Sequence, residues 1–182
     1  MSKALLLVDI QNDYFKNGAM ELVGMDEAAA NAQKILVYFR ANKWPVYHVR
    51  HAGIGPKATF FLPDTQGAQI NEAVLPLESE PVITKYLPNS FRETGLQDLC
   101  EKEGIKQLVI CGAMSHMCID ATTRAAFDLG FGCKVVADAC ATRNLEFDGR
   151  VVVAADVHAA FMAALNGIYA QVLKTKAFIE NK

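Results

Sequence analysis

Residues 106–132, KQLVICGAMSHMCIDATTRAAFDLGFG, hold the reading that decides the fold. The opening "KQLVICGA" is a short, continuously apolar run, the mark of a parallel strand covered on both faces. "CIDATTRAAFDLGFG" reads as a helix that ends in a glycine-rich stop. Gly112 and Ala113 make the joint small, and Cys118 stands where strand gives way to helix. A thiol at that joint is either an inert buried side chain, the commonest state of a free cysteine, or a nucleophile aimed from the end of a strand.

Working outward, the same alternation recurs. "ALLLVDI" is an apolar strand that stops at Asp9, and "DEAAANAQKILVYFRANK", from Asp26, begins with acids and ends in bases as a helix should. "WPVYHVRH" is a second strand. The stretch from Ala52 to Glu80 carries Gly53, Gly55, Pro56, Pro63 and Gly67 and reads as a long loop, a length often given to functional lids. "PVITK" is a short strand and "FRETGLQDLCEKEG" a helix stopped by Gly104. Beyond the opening stretch, "CKVVADAC" predicts a strand, "DGRVVVAADVHAAFMAALNGI" a helix and "AQVLKTKAF" a last strand. Strands alternating with helices predict a three-layer, doubly wound α/β fold, a mainly parallel sheet with helices on both faces. Open sheets of this kind bind ligands beyond the carboxyl ends of their strands. Asp9, Lys85 and Cys118 all fall at such ends.

Length and composition bound the function. The 182 residues suit one domain spanning 1–182. With 18 basic and 20 acidic residues and no block of like charge, nothing points to nucleic acid or a membrane surface. A small-molecule partner fits better. The five apolar residues before Asp9 are too few for a signal-peptide core or a membrane span, and the expected location is cytoplasmic. Cysteines at 100, 111, 118, 133 and 140 form an odd set without C-x-x-C, so no zinc knuckle or disulfide framework is encoded.

The three rim residues have complementary chemistry. A thiol of pKa about 8.5 is mostly protonated at neutral pH, whereas the thiolate attacks. A helix beginning near Cys118 and a nearby Lys85 ammonium would both lower that pKa. Asp9 would raise it by like-charge repulsion, yet a carboxylate in contact can take the thiol proton and return it to a leaving group. Backbone N–H groups in the tight turn would stabilise the oxyanion of a tetrahedral adduct. Taken one at a time, Asp9 also reads as a cap and Lys85 as a surface lysine.

The segments "LLLVDIQNDYF", "VITKYLPNSF", "VICGAMSHMCIDATTRAAFDLGF" and "KVVADACAT", in this order and spacing, resemble the isochorismatase-like cysteine hydrolases. That family includes nicotinamidases, N-carbamoylsarcosine and ureidoacrylate amidohydrolases and streptothricin hydrolases. The resemblance spans nearly the whole chain and implies the Rossmann-like, isochorismatase-like version of the fold. It implies a catalytic triad of Asp9, Lys85 and Cys118, and a cis peptide at Ala113–Met114 that turns the Met114 N–H toward the oxyanion beside that of Cys118. Gln11 and Asp13 look like supporting residues, and Phe15, Phe60, Phe61 and Phe91 are candidates for apolar walls. No cofactor is implied, and homodimers or homotetramers are, with neighbouring subunits often completing the site.

Departures from the family narrow the chemistry. Its metal-binding members carry an Asp-x-His-x-x-His-like segment where this chain has "YHVRHAG", with Val46 in place of the aspartate ahead of His48 and His51. No metal is therefore expected. Residues three apart on a strand point to different faces, so His48 and His51 are read as packing residues. Isochorismatases proper lack the cysteine, so Cys118 points away from vinyl-ether cleavage and toward a small amide, ureide or lactam, opened through a thioester. His116 and Arg50 are candidates for meeting substrate, His158 is read as core, and Asp138 either fixes a loop or touches ligand. Two alternatives stand beside the enzyme: a non-catalytic binder with Cys118 as a redox sensor, and a nucleotide-binding protein, for which no G-x-G-x-x-G or Walker pattern exists.

Overall fold

The apolar runs build the sheet because a strand covered on both faces needs no polar side. In the computed structural model, which describes residues 2–180, β1 (Lys3–Val8) is buried from Ala4 onward. It lies between β2 (Val46–His51) and β4 (Gln107–Ala113), parallel to both. β3 (Val82–Lys85) extends the sheet beyond β2. β5 (Gly132–Ala141) follows β4, and β6 (Leu145–Phe147) and β7 (Arg150–Val152) form a separate antiparallel hairpin. β8 (Gln171–Leu173) closes the far edge, giving the all-parallel order β3-β2-β1-β4-β5-β8. Strand order reverses between β1 and β4, so the crevice at their carboxyl ends is where such a sheet takes a ligand. Residues 1, 181 and 182 of the expected 1–182 domain lie outside the described residues.

The helices cover both faces, as expected. α1 (Met25–Ala41) buries Ile35, Leu36 and Phe39 against the sheet. α2 (Leu96–Lys102) is anchored by Leu96 and Cys100. α3 (Asp120–Asp128) and α4 (Ala154–Leu165) pack against each other, while α5 (Thr175–Glu180) joins α1, with Phe178 stacked on Phe39 at 5.9 Å. Right-handed crossovers explain the division, because the helix changes face when the chain reverses its direction of travel across the sheet.

Four sequence expectations change. The helix expected from Asp148 begins only at Ala154. Asp148 and Gly149 both have positive φ, 50° and 70°, and form the turn of the β6–β7 hairpin. The valines that follow are β-branched and favour the extended chain. Asn144 Oδ1 then accepts the Ala154 N–H at 2.8 Å. The expected strand at 170–178 is only three residues long, because Asp138 Oδ1 accepts both the amide and the hydroxyl of Thr175, at 2.7 and 2.8 Å, and starts α5. Asp138 thus fixes a neighbouring segment. The helix expected from Phe91 starts at Leu96, after Glu93 takes a positive φ of 57°. Finally, no α-helix begins at Cys118. Ser115–Ile119 form a π turn, and α3 follows it.

Candidate active site

Three strand ends deliver the side chains. Asp9 follows β1 with a positive φ of 53°, and its N–H is tied to the Val49 carbonyl at 2.9 Å. Lys85 ends β3, two strands away, and its long stem carries Nζ past the end of β2. There Nζ stands 2.8 Å from Asp9 Oδ2 and 3.2 Å from Cys118 Sγ. Asp9 and Lys85 are fully buried and Cys118 is 6% exposed.

The turn carrying Cys118 depends on Gly112. Its φ is 127°, and a Cβ there would collide with the Val8 carbonyl of the adjacent strand. Pairing of β4 with β5 also shifts between Ile110 and Gly112, which re-aims the end of the strand. The Ala113–Met114 peptide is cis. Ser115 pins the turn from the other side: its Oγ is 2.8 Å from His158 Nδ1 and 3.2 Å from the Ala141 carbonyl. His158, read as core from the sequence, is half-buried and holds this turn.

Electrostatics separate the roles. Burial pushes the Cys118 thiol up to about 12, Asp9 adds to the shift, and Lys85 opposes it without prevailing. The sequence expectation of a lowered thiol pKa therefore fails in the resting site, because desolvation outweighs the ammonium. Burial pulls Lys85 down, but the Asp9 charge, with the sulfur of Cys118 as a further acceptor, more than offsets it, and the lysine stays protonated. Neither Asp9 oxygen has a well-aligned hydrogen bond among the described residues: Oδ2 has the Lys85 ammonium as an ion-pair partner, and Oδ1 has no partner.

The supporting residues divide into those at the rim and those elsewhere. Gln11 clamps the backbone of His51, accepting its N–H at 2.8 Å and donating to its carbonyl at 2.9 Å, and also donates to the Ala68 carbonyl at 2.8 Å. Asp13 accepts the N–H groups of Ala19, at 3.2 Å, and Phe61, at 2.6 Å, tying down the long loop. A Cβ on Gly67 would strike the Asp13 carboxylate, so that loop position must be bare. Phe60 meets Phe61 edge-on at 4.9 Å, and Phe15 packs on the core. Phe91 is not brought to the triad, since its ring stacks on Phe131, ahead of β5, at 5.8 Å. His116 Nδ1 is 2.6 Å from Thr142 Oγ1, beside the triad rather than in it. Arg50 donates to Thr84 Oγ1 at 2.9 Å and, with His51 and Tyr86, lines a cavity of about 300 Å³ under the loop.

Sequence reasoning missed two neighbours. His51, read as a packing residue, has Nδ1 3.1 Å from Lys85 Nζ. The register signal was available, because His51 ends β2 directly opposite Lys85 at the end of β3. Tyr14 was passed over for Phe15, yet it is the buried ring, 4.6 Å from Phe61. Burial, with the charge of Asp9 nearby, holds its hydroxyl well above the ordinary tyrosine range. His48 faces away, with Nε2 3.0 Å from Glu80.

Residues 3–177 match the family model of the Isochorismatase domain. The chain belongs to the isochorismatase family. The uncharacterized isochorismatase family protein YddQ of Bacillus subtilis is 54% identical over 180 residues, covering 99% of this chain and all of that one. A solved structure from Oleispira antarctica, assigned to the isochorismatase hydrolases, superposes with a TM-score of 0.94 at 50% identity, over 98% of this chain and 96% of that one. The ureidoacrylate amidohydrolase RutB of Enterobacter sp. is 27% identical over 177 residues, spanning 79% of this chain and 77% of its own. Within this isochorismatase-family fold, the buried cluster of Asp9, Lys85 and Cys118 occupies the crevice beside the strand-order reversal. Among the described residues no helix is long and apolar enough to cross a membrane.

Proposed function

We propose that this isochorismatase-family protein is a cysteine-dependent hydrolase of a small amide, ureide or lactam, working through a thioester acyl-enzyme. The observation that carries the reading is the buried Lys85 ammonium, 2.8 Å from Asp9 and 3.2 Å from the Cys118 thiol. The amidohydrolase activity named for one relative supports the same bond class.

In this reading the thiol rests protonated. As Cys118 Sγ attacks the acyl carbon, its proton passes to Asp9, whose Oδ1 has no competing donor among the described residues. Lys85 offsets the charge of whichever neighbour is then negative. The adduct's oxyanion is held by the Met114 and Cys118 N–H groups. Asp9 returns the proton to the departing nitrogen, leaving the thioester. Water then attacks, losing a proton to Asp9, and that proton restores the thiol as the acid leaves. The oxidation-sensor alternative gives no task to the unpartnered Asp9 oxygen.

The test is turnover of amide, ureide and lactam libraries by wild type beside Cys118→Ala. Wild type alone should act, and intact-mass spectrometry should trap an acyl adduct on Cys118. Iodoacetamide should also label Cys118 first, a demanding comparison because Cys133 and Cys140 are as exposed, at 8% and 7%. Equal turnover by the alanine variant would overturn the reading.

A further inference from the structure

Lys85 Nζ has three protons and three neighbours. Cys118 Sγ accepts from it at 3.2 Å, Asp9 Oδ2 is its ion-pair partner at 2.8 Å, and His51 Nδ1, at 3.1 Å, is placed to accept as the third. A buried ammonium with an unmet N–H leaves a desolvated donor unsatisfied, so the third acceptor matters to where Nζ settles. His51 is itself immobilised, because Gln11 holds its N–H and its carbonyl together and the Phe61 ring lies 6.1 Å from the imidazole.

We propose that His51 is a positioning residue: its neutral imidazole accepts from Lys85 through Nδ1 and fixes the ammonium where it meets both Asp9 and the Cys118 thiol. The role requires the proton on Nε2. A cationic ring would present an N–H to the ammonium and repel it. The charged groups acting on the ring favour neutrality on balance: burial lowers its pKa, Lys85 lowers it further, and Asp9 opposes. His51 touches no reacting atom and acts only through Lys85. The proposal rests on Cys118 being the nucleophile.

The experiment follows the rate of Cys118 alkylation by iodoacetamide, site by site, in the full-length protein. His51→Phe keeps a ring and removes the acceptor, and should slow Cys118 about tenfold. His51→Asn sets Oδ1 at the same bond distance from Cα as Nδ1 and should restore the rate to within about threefold of wild type. In a Lys85→Met background His51→Phe should add nothing, since its effect passes through the lysine. Nitrogen-15 NMR of histidine-labelled wild type should find His51 neutral with the proton on Nε2, a readout that needs no variant to fold. Wild-type rates in His51→Phe, equal slowing in His51→Asn, additivity with Lys85→Met, or an Nδ1–H tautomer would each overturn the proposal. If wild type labels another cysteine before Cys118, the nucleophile assignment falls, and this inference falls with it. If Cys118 labels first and the His51 variants behave otherwise than stated, only the inference falls.

Discussion

The fully buried Asp9–Lys85 pair and the half-buried cluster around Glu80 treat their carboxylates in opposite ways. Glu80 is saturated: Arg40 donates to it twice, at 2.8 and 2.7 Å, the Leu77 N–H once at 2.9 Å, and His48 Nε2 lies 3.0 Å away. Burial alone would raise the Glu80 pKa, but these donors pull it down to about 2. Asp9 instead has the Lys85 ammonium at one oxygen, as an ion pair without a well-aligned hydrogen bond, and no partner at the other among the described residues. A carboxylate with every lone pair engaged anchors a loop. One with a vacant oxygen beside a protonated thiol is equipped to exchange a proton. The contrast separates a structural ion cluster from a reactive one better than charge does, because both contain a cation, and it runs alongside the deeper burial of Asp9 and Lys85.

The comparison can be broken most directly at the reactive cluster. Cys118→Ala should remove at least four orders of magnitude of turnover on any amide the wild type hydrolyses, with an unchanged melting curve. Asp9→Asn should cost roughly 10²–10⁴ in kcat, the usual scale for a positioned acid–base. An Asp9→Asn enzyme with near-wild-type kcat would show that the vacant oxygen carries no proton. At the structural cluster the expectation reverses. Glu80→Gln should lower stability by about 1 kcal/mol, because half-buried Arg40 and buried His48 lose a charged partner that solvent partly screens, while Cys118 alkylation keeps its wild-type rate.

The Glu80 cluster should also write itself into acid stability. Its carboxyl pKa is below the ordinary value of 4.5 in the fold, so the stability it contributes is complete above that pH and is lost as pH falls toward 2. Melting temperature followed from pH 5 to pH 2 should fall more steeply in wild type than in Glu80→Gln. Parallel curves would remove the cluster from the account. An effect no larger is expected at Phe91→Leu, which trades a ring stacked on Phe131 for a smaller side chain. It should cost about 1 kcal/mol and leave alkylation of Cys118 within twofold of wild type. A larger change in alkylation would bring Phe91 back to the site.

Local signals were legible where one residue's own chemistry decides its conformation. The apolar runs at β1, β4 and β5, the first-turn acids Asp26 and Glu27 of α1 and the Gly104 stop after α2 all follow from neighbours in sequence. Segments that depend on a distant partner were read less well. α5 looks like strand until Asp138, 37 residues earlier, caps Thr175. The start of α4 was read too early because a helical pattern of apolar residues masked a two-residue turn at Asp148 and Gly149.

The site divides along the same line. Asp9, Lys85 and Cys118 were visible because each reactive side chain sits where an apolar run ends, and parallel topology brings such ends to one rim. Whether they touch, and with what electrostatics, was settled by burial. Water exclusion raised the thiol's pKa where helix and lysine alone would have lowered it. His51 became a neighbour of Lys85 only through the register of β2 on β3, and Phe91 was drawn away by packing on Phe131. Sequence determined which groups this chain brings to the end of its sheet. Tertiary structure decided which of them lose their water together, because desolvation and contact belong to the packed surroundings of a side chain and not to its place along the chain.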